Sequence, residues 1–347
     1  MITLAFIIIL ALAFDFVNGW HDAPNSIATV VATKVLTPLQ AVVWASFFNF
    51  VAFFIAKYII GEFGIADTMS KIVAANAVPN PSLVVITGLT AAIIWSVITW
   101  LLGIPSSASH TLIGGLAGAA FAAAGIQAVH WGVIGIIAIF IFIAPLMGFI
   151  SGNIITIITM HLFKDTRPIK AELYFKRLQL ISSALLSIGH GLNDSQKVIG
   201  IIALALMSAT ASNPEINEYL YMSSMDDMHD WIPIACFTAI AVGTLCGGWK
   251  ILKTMGNKIT RIYPFEGFSA QAAGAITLFI TEALHVPVST THVISGSIIG
   301  VGSVKRLSAV RWGVTKNLLV AWVLTIPVSA LLGALIFWMI NFVLKMV

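Results

Sequence analysis

Residues 131–162 contain no Asp, Glu, Lys or Arg. About 20 consecutive apolar residues are enough to cross the hydrocarbon of a bilayer, so this run constrains the chain before anything else is read. Comparable stretches lie at 39–60, 83–102, 180–208, 232–249, 270–285 and 313–346, with shorter ones at 110–126 and 293–304. The opening segment MITLAFIIILALAFDFVNGW is also apolar; it has no basic leader and no small-residue cleavage site, and reads as a retained first helix. Composition closes the alternatives. Charged residues make up 9% of the chain and hydrophobic ones 59%, whereas soluble domains carry about 25% charged residues. With 18 Lys+Arg and 14 Asp+Glu, a chain of 347 residues cannot coat a soluble surface. Two cysteines exclude a disulfide-stapled secreted domain. The expected class is an all-α polytopic membrane protein.

The chain repeats itself. Residues 105–118 read Pro-Ser-Ser-Ala-Ser-His-Thr-Leu-Ile-Gly-Gly-Leu-Ala-Gly, and 287–300 read Pro-Val-Ser-Thr-Thr-His-Val-Ile-Ser-Gly-Ser-Ile-Ile-Gly. Upstream of each lies a second matched pair, Asn-Gly-Trp-His-Asp at 18–22 and His-Gly-Leu-Asn-Asp at 190–194. Two pairs in the same order predict a duplicated chain: a first transmembrane repeat over 1–163, a basic linker over 164–178 and a second repeat over 179–347.

Charge sets the expected orientation. The linker holds Lys164, Arg167, Lys170, Lys176 and Arg177, which the positive-inside rule places in the cytoplasm. The loop 209–231 has Glu215, Glu218, Asp226, Asp227 and Asp230 with no Lys or Arg. Basic residues return at Lys250, Lys253, Lys258 and Arg261, and again at Lys305, Arg306 and Arg311, where the first-half counterparts have few or none. Equivalent loops that differ in basic content predict two inverted-topology repeats, with broken or re-entrant helices meeting at a midplane substrate site. Most of the net charge of +4 therefore marks cytoplasmic loops of a plasma-membrane protein and is no nucleic-acid footprint.

The motifs carry two opposed chemistries. Proline followed by Ser-x-Ser or Ser-x-Thr and a Gly-spaced apolar run is how a helix starts. Its free first-turn amides and dipole favour an anion. Ser106, Ser107, Ser109, Ser289, Thr290 and Thr291 are the candidates for that anion, with Gln196 and Lys197 beside them. Lys197 is equally readable as an ion-pair partner of Asp194. The alternative for the serine motifs is a pair of capped short helices with a Gly-x-x-x-Gly packing face. Asp22 and Asp194, with Asn18, Asn25 and Asn193, form a hard-oxygen set suited to a small cation, or the Asp carries a proton. Asp15 is a further candidate. His21, His110, His190 and His292 all fall inside the motifs and are read as hydrogen-bonding braces, because no spacing supports a structural zinc site. Asn49 and Gln271 read as hydrogen bonds between helices. Cys236 and Cys246 read as buried thiols.

Asn18-Gly-Trp-His-Asp-Ala-Pro-Asn-Ser26 and Gly189-His-Gly-Leu-Asn-Asp-Ser-Gln-Lys197 resemble the duplicated G-x-N-D-x-x-N signature of the inorganic phosphate transporter (PiT) family. The two serine motifs are similar to that family's second motif pair, so the resemblance covers nearly the whole chain. It implies a secondary transporter that takes up inorganic phosphate with a coupling cation. Ser107, Ser109, Ser289, Thr290 and Thr291 then contact phosphate, and Asn18, Asp22, Asn25, Asn193 and Asp194 sit at the cation or phosphate site. Sodium-coupled members often carry glutamate where this chain has Asn49 and Gln271, and His21 stands where Asn is usual before Asp22. Both departures resemble the bacterial low-affinity, proton-coupled branch, some members of which carry phosphate with a divalent metal. H+ or Na+ is thus the expected coupling ion, with H+ favoured and no resident cofactor or metal. Inorganic phosphate and membrane lipid are the expected partners, nucleic acid is not, and a homodimer is left open.

Three rivals remain at this stage. A sulfate:cation symporter of the same fold shares the oxyanion chemistry. An intramembrane hydrolase would need Ser107 or Ser289 activated by a base, yet the duplicated Ser/His pairs offer no asymmetric nucleophile. A passive anion channel gains nothing from an intramembrane Asp pair.

Overall fold

The structure is a computed structural model that describes residues 1–213 and 215–346. Twelve α-helices account for most of it: α1 (Ile2–Ala32), α2 (Pro38–Ile55), α3 (Gly64–Ser70), α4 (Pro81–Leu102), α5 (Ala108–Ala124), α6 (Trp131–Leu162), α7 (Pro168–Ser212), α8 (Trp231–Cys246), α9 (Trp249–Asn257), α10 (Pro264–Ala283), α11 (Thr290–Lys305) and α12 (Trp312–Met346). Among the described residues no strand forms. Six helical segments are long and apolar enough to cross a bilayer: α1, α2 with the π-helical turns that extend it to Ile60, α4, α6, α7 and α12. α8 and α9 form a further pair, bent by 76° at the glycines between them.

The breaks fall at one pair of motifs and not at the other. Residues 18–25 and 189–197 lie inside α1 and α7, which run unbroken; Pro24 sits within α1 without ending it. The interruptions fall before α5 and α11, at the serine motifs, where helix starts are expected. The linker is also shorter than its charge suggested. Residues 168–178 form the first turns of α7, started by Pro168 and supported by an Asp/Glu-to-Lys pair of helical spacing, Glu172–Lys176 at 2.7 Å.

Burial separates centre from rim. The most apolar window of α7 is 72% buried, against 28% in α6 and 22% in α12, whose exposed Ile, Leu, Phe and Trp side chains form the outer surface. Such an apolar rim needs lipid as its solvent. The short helices are sheltered by long ones from the other half of the chain: α5 packs on α12, and α11 packs on α6. Glycine permits both approaches. A Cβ on Gly118 would stand 1.9 Å from the Ala330 carbonyl oxygen, and one on Gly300 would stand 2.3 Å from that of Phe149.

The long helices α1 and α7 run in opposite senses. Thr33, just past the end of α1, donates to Gln179 Oε1 near the start of α7 (2.9 Å), while Asp22 and Asp194 meet further along, so α1 and α7 are antiparallel. α4 ends beside Lys250, whose Nζ donates to the Leu101 carbonyl (3.2 Å); α10 starts beside Lys305, paired with Glu266 (2.8 Å). The far end of α10 meets an acidic loop, where Glu62 pairs with His285 (3.1 Å), and at the start of α8 Asp230 pairs with Lys57 (2.5 Å).

Candidate functional site

The two interrupted helices begin face to face. Ser107 caps α5 by accepting from the His110 amide (3.1 Å), and Ser289 caps α11 by accepting from the His292 amide (3.3 Å). The starts touch directly: Thr291 Oγ1 donates to the Ser106 carbonyl (3.2 Å), and Ser109 Oγ donates to the Val288 carbonyl (3.3 Å). One turn in, the His110 and His292 rings lie 4.7 Å apart, and His292 stacks on Trp322 at 4.1 Å. Two helix N-termini thus bring their dipoles to one place, which favours negative charge there.

α1 and α7 carry the carboxylates to the same place. Thr290 Oγ1 lies 3.4 Å from Asp22 Oδ2 and 3.3 Å from Asp194 Oδ2, and Thr291 Oγ1 lies 3.4 Å from Asp22 Oδ2. Asn25 Nδ2 donates to both threonine hydroxyls, at 3.1 and 3.0 Å. The other Asp22 oxygen is 2.6 Å from His21 Nδ1, and His21 Nε2 reaches Thr99 Oγ1 at 3.1 Å. Ser106 Oγ also donates to Thr99 Oγ1, at 2.9 Å. Asp194 Oδ1 accepts from Lys197 Nζ at 2.6 Å, and His190 Nε2 lies 3.1 Å from Asp194 Oδ2. His190 is held from behind by Asn49 Oδ1 (3.2 Å), whose amide donates to Thr244 (2.9 Å). All of these motif side chains are buried. A buried carboxylate without a partner is strongly unfavourable, and each of the two has several proton-bearing neighbours: His21 and two threonine hydroxyls for Asp22, Lys197, His190 and the Thr290 hydroxyl for Asp194.

The expected set is brought together with one exception. Gln196 faces away from the serine motifs. Its Oε1 accepts from the Ile65 amide (3.1 Å) and its Nε2 donates to Glu282 (2.6 Å), because a side chain two positions from Asp194 on a helix projects from another face. Gln271 bonds between helices, accepting from Ser182 Oγ on α7 (3.1 Å) and donating to the Ser26 carbonyl on α1 (3.4 Å). Asn18 and Asn193 lie in the buried centre; Asn18 Oδ1 and both polar atoms of Asn193 make no hydrogen bond. Asp15 is fully buried in mid-helix, away from either end of α1, and neither of its oxygens is hydrogen-bonded. Cys236 is buried as expected, but Cys246 is exposed at the last turn of α8.

Some participants carried no sequence signal. Thr99 is one of many threonines that bond back to their own helix, and the Val288 carbonyl is backbone. Asp22, His190 and Asp194 offer ligand atoms within 4.8 Å of one another, a possible metal-holding group that spacing along one helix does not reveal because Asp22 comes from α1. A cavity of about 620 Å³ at the basic end reaches this region, lined in part by Trp95, Thr99, Pro105, Ser106, Thr254 and Lys258. A larger one, about 1260 Å³, opens among the acidic loops.

The Phosphate transporter family model matches residues 18–172 and 164–333, both copies of the motifs included. The chain belongs to that family. It is 45% identical to a "Probable low-affinity inorganic phosphate transporter" of Rhizobium meliloti (strain 1021), over 97% of each chain. A protein of the same description from Bacillus subtilis (strain 168) is 44% identical, again over 97% of each. One from Mycobacterium leprae (strain TN) is 36% identical, covering 98% of this chain and 78% of the relative. The fold is shared with a solved chain described as "The sodium-dependent phosphate transporter", at a TM-score of 0.82 and 24% identity, covering 99% of this chain and 100% of that one. Family and helices together make this a multi-pass protein of the plasma membrane and a transporter, not an enzyme.

Proposed function

We propose that the chain takes up inorganic phosphate together with a coupling cation, by alternating access. The observation that carries this reading is the meeting of both serine-motif helix starts with Asp22 and Asp194 in one buried cluster. Helix N-termini and neutral hydroxyls attract an oxyanion, whereas two carboxylates repel it. An anion binds such a cluster well only after positive charge has arrived, which makes the two ligands interdependent. An anion entering alone also opposes a negative-inside potential, by ~2.3 kcal/mol per charge per 100 mV.

Ser106, Ser107, Ser109, Ser289, Thr290 and Thr291 are assigned to phosphate; Asp22, Asn25 and Asp194, with Asn18 and Asn193 behind them, are assigned to the coupling charge. H+ is favoured over Na+ as the coupling ion, with His21 Nδ1 set 2.6 Å from Asp22 Oδ1 as that carboxylate's neighbour. The antiparallel α1 and α7, and the exchanged shelter of α5 and α11, support two inverted repeats of about 1–163 and 179–347 that rock around the cluster, with the basic end cytoplasmic. A divalent ion travelling with phosphate would meet Asp22, His190 and Asp194.

Radiolabelled phosphate uptake into proteoliposomes, under an imposed H+ gradient and separately a Na+ gradient, tests the proposal. Uptake driven by the H+ gradient is expected; uptake driven by neither overturns symport. Sulfate competing as well as phosphate overturns the substrate assignment, which rests on Asp22 or Asp194 accepting the proton that phosphate keeps near neutral pH.

A further inference from the structure

One relay of contacts recurs in both halves with different side chains. Matched through Asp22 and Asp194, Asn25 corresponds to Lys197; matched through the serine motifs, Thr291 corresponds to Ser109 and Ser106 to Val288. Asn25 Nδ2 donates to Thr291 Oγ1 (3.0 Å), which donates to the Ser106 carbonyl (3.2 Å). With the halves exchanged, Lys197 Nζ donates to Ser109 Oγ (2.6 Å), which donates to the Val288 carbonyl (3.3 Å). The lysine then goes further than the asparagine. Its Nζ also lies 2.6 Å from Asp194 Oδ1 and 2.6 Å from the Val288 carbonyl oxygen.

That nitrogen therefore stands among a carboxylate, a hydroxyl and a peptide carbonyl. This is the oxygen set that hard metal cations take. An ammonium has three N–H donors, and here three acceptors use them all. Lys197 is 1% exposed, so the charge is held at depth with its whole hydrogen-bonding capacity spent on the protein. Nothing in that arrangement can leave during a transport cycle. Beside Asp22, the asparagine amide brings no charge, and the carboxylate is left to His21 and the threonine hydroxyls.

We propose that Lys197 is a covalently tethered cation occupying the place beside Asp194 that an exchangeable monovalent cation would otherwise fill. Only the half carrying Asp22 and Asn25 then loads and releases a coupling cation, so Lys197 fixes both the number of cations moved per phosphate and the indifference of the second half to alkali ions. The proposal rests on the symport reading for its transport consequence, but its binding consequence stands apart from it.

The test restores the asparagine. Lys197→Asn places beside Asp194 the amide that Asn25 places beside Asp22. Purified K197N is expected to bind one more monovalent cation per chain than the parent, read with ²²Na+ at equilibrium, and to lose that gain when combined with Asp194→Asn. In proteoliposomes, Na+ at fixed pH gradient is expected to raise phosphate uptake by K197N about tenfold while leaving the parent unchanged, because only the variant has a competent state that needs the ion. Equal cation counts in K197N and the parent overturn the proposal and make Lys197 an ordinary structural partner of Asp194. A K197N that unfolds in cation-free buffer is expected to be restored by alkali salt, which stabilises whatever state binds it; failure of every alkali cation to restore it also overturns the proposal. If instead the parent carries no phosphate while K197N gains the cation, the symport reading fails and the tethered-cation assignment stands.

Discussion

Asp22 and Asp194 come from opposite halves of the chain and stand on either side of one hydroxyl, that of Thr290, at 3.4 and 3.3 Å. A hydroxyl has one proton, so it serves one carboxylate at a time. Thr290→Ala should lower phosphate uptake by about 10- to 100-fold, the scale of a hydrogen bond to a charged group, at 1.5–3 kcal/mol. Thr290→Ser should keep most of it, and the two variants side by side separate the hydroxyl from the methyl.

Removing Asp194 alone and neutralising the whole Asp194–Lys197 pair should have unequal consequences. Asp194→Asn leaves a buried ammonium with one acceptor neutralised, and breaking a buried pair this way typically costs about 3–5 kcal/mol. The neutral double variant D194N/K197M should recover much of that loss. Thermal unfolding of the purified proteins in one detergent reads the difference, and a double variant no more stable than D194N would count against the pair as the cause.

The exchanged packing of the short helices depends on absent side chains. Gly118→Ala and Gly300→Ala drive a methyl into the carbonyls of Ala330 and Phe149, and overpacking of this kind costs about 1–3 kcal/mol. Both should lower the midpoint of thermal unfolding. Gly132→Ala, where a Cβ meets nothing within 4 Å, is the control and should leave it unchanged.

Gln196 and Ser109 differ in what they face. Ser109→Ala should raise the KM for phosphate, whereas Gln196→Ala should leave KM near the parent value, because Gln196 is engaged with Ile65 and Glu282. Uptake at varied phosphate concentration decides it.

The acidic loop should loosen in acid. Asp227 Oδ2 accepts from Ser223 Oγ (2.5 Å) and from the amides of Ser223 (2.9 Å) and Ser224 (3.2 Å). The Ser223 hydroxyl first, and then the two amides, hold this exposed carboxyl below the usual Asp range. A lowered folded value means the stabilisation is full above the unfolded pKa and is lost as pH falls through the folded one. Hydrogen exchange of residues 223–227 should therefore show less protection on acidification than the neutral-pH pattern, after correction for intrinsic rates.

Much of this was legible beforehand because membrane helices announce themselves by length and apolar content. The duplicated motifs also mark out the candidate site, since Asp22, Asp194 and the serine pairs are rare polar groups in apolar surroundings. Other features were hidden for physical reasons. Whether residues 168–178 are loop or helix depends on Pro168 and the Glu172–Lys176 pair, which compete with a strong basic signal for attention. Gln196 looked like a neighbour of phosphate by position, but helical geometry turns it elsewhere. The Asp22–His190–Asp194 group requires knowing that α1 and α7 lie side by side, and Val288 acts through its backbone, which residue identity does not report.

The correspondence of Asn25 with Lys197 bears on the history of such a chain. In an assembly of two identical half-length proteins, any substitution at that place appears twice, so a lysine beside one aspartate brings a lysine beside the other. Fusion into a single polypeptide releases the two copies from each other. The 2.6 Å contact between Lys197 and Asp194, with asparagine at the matching place in the other half, is an asymmetry that two identical chains cannot carry.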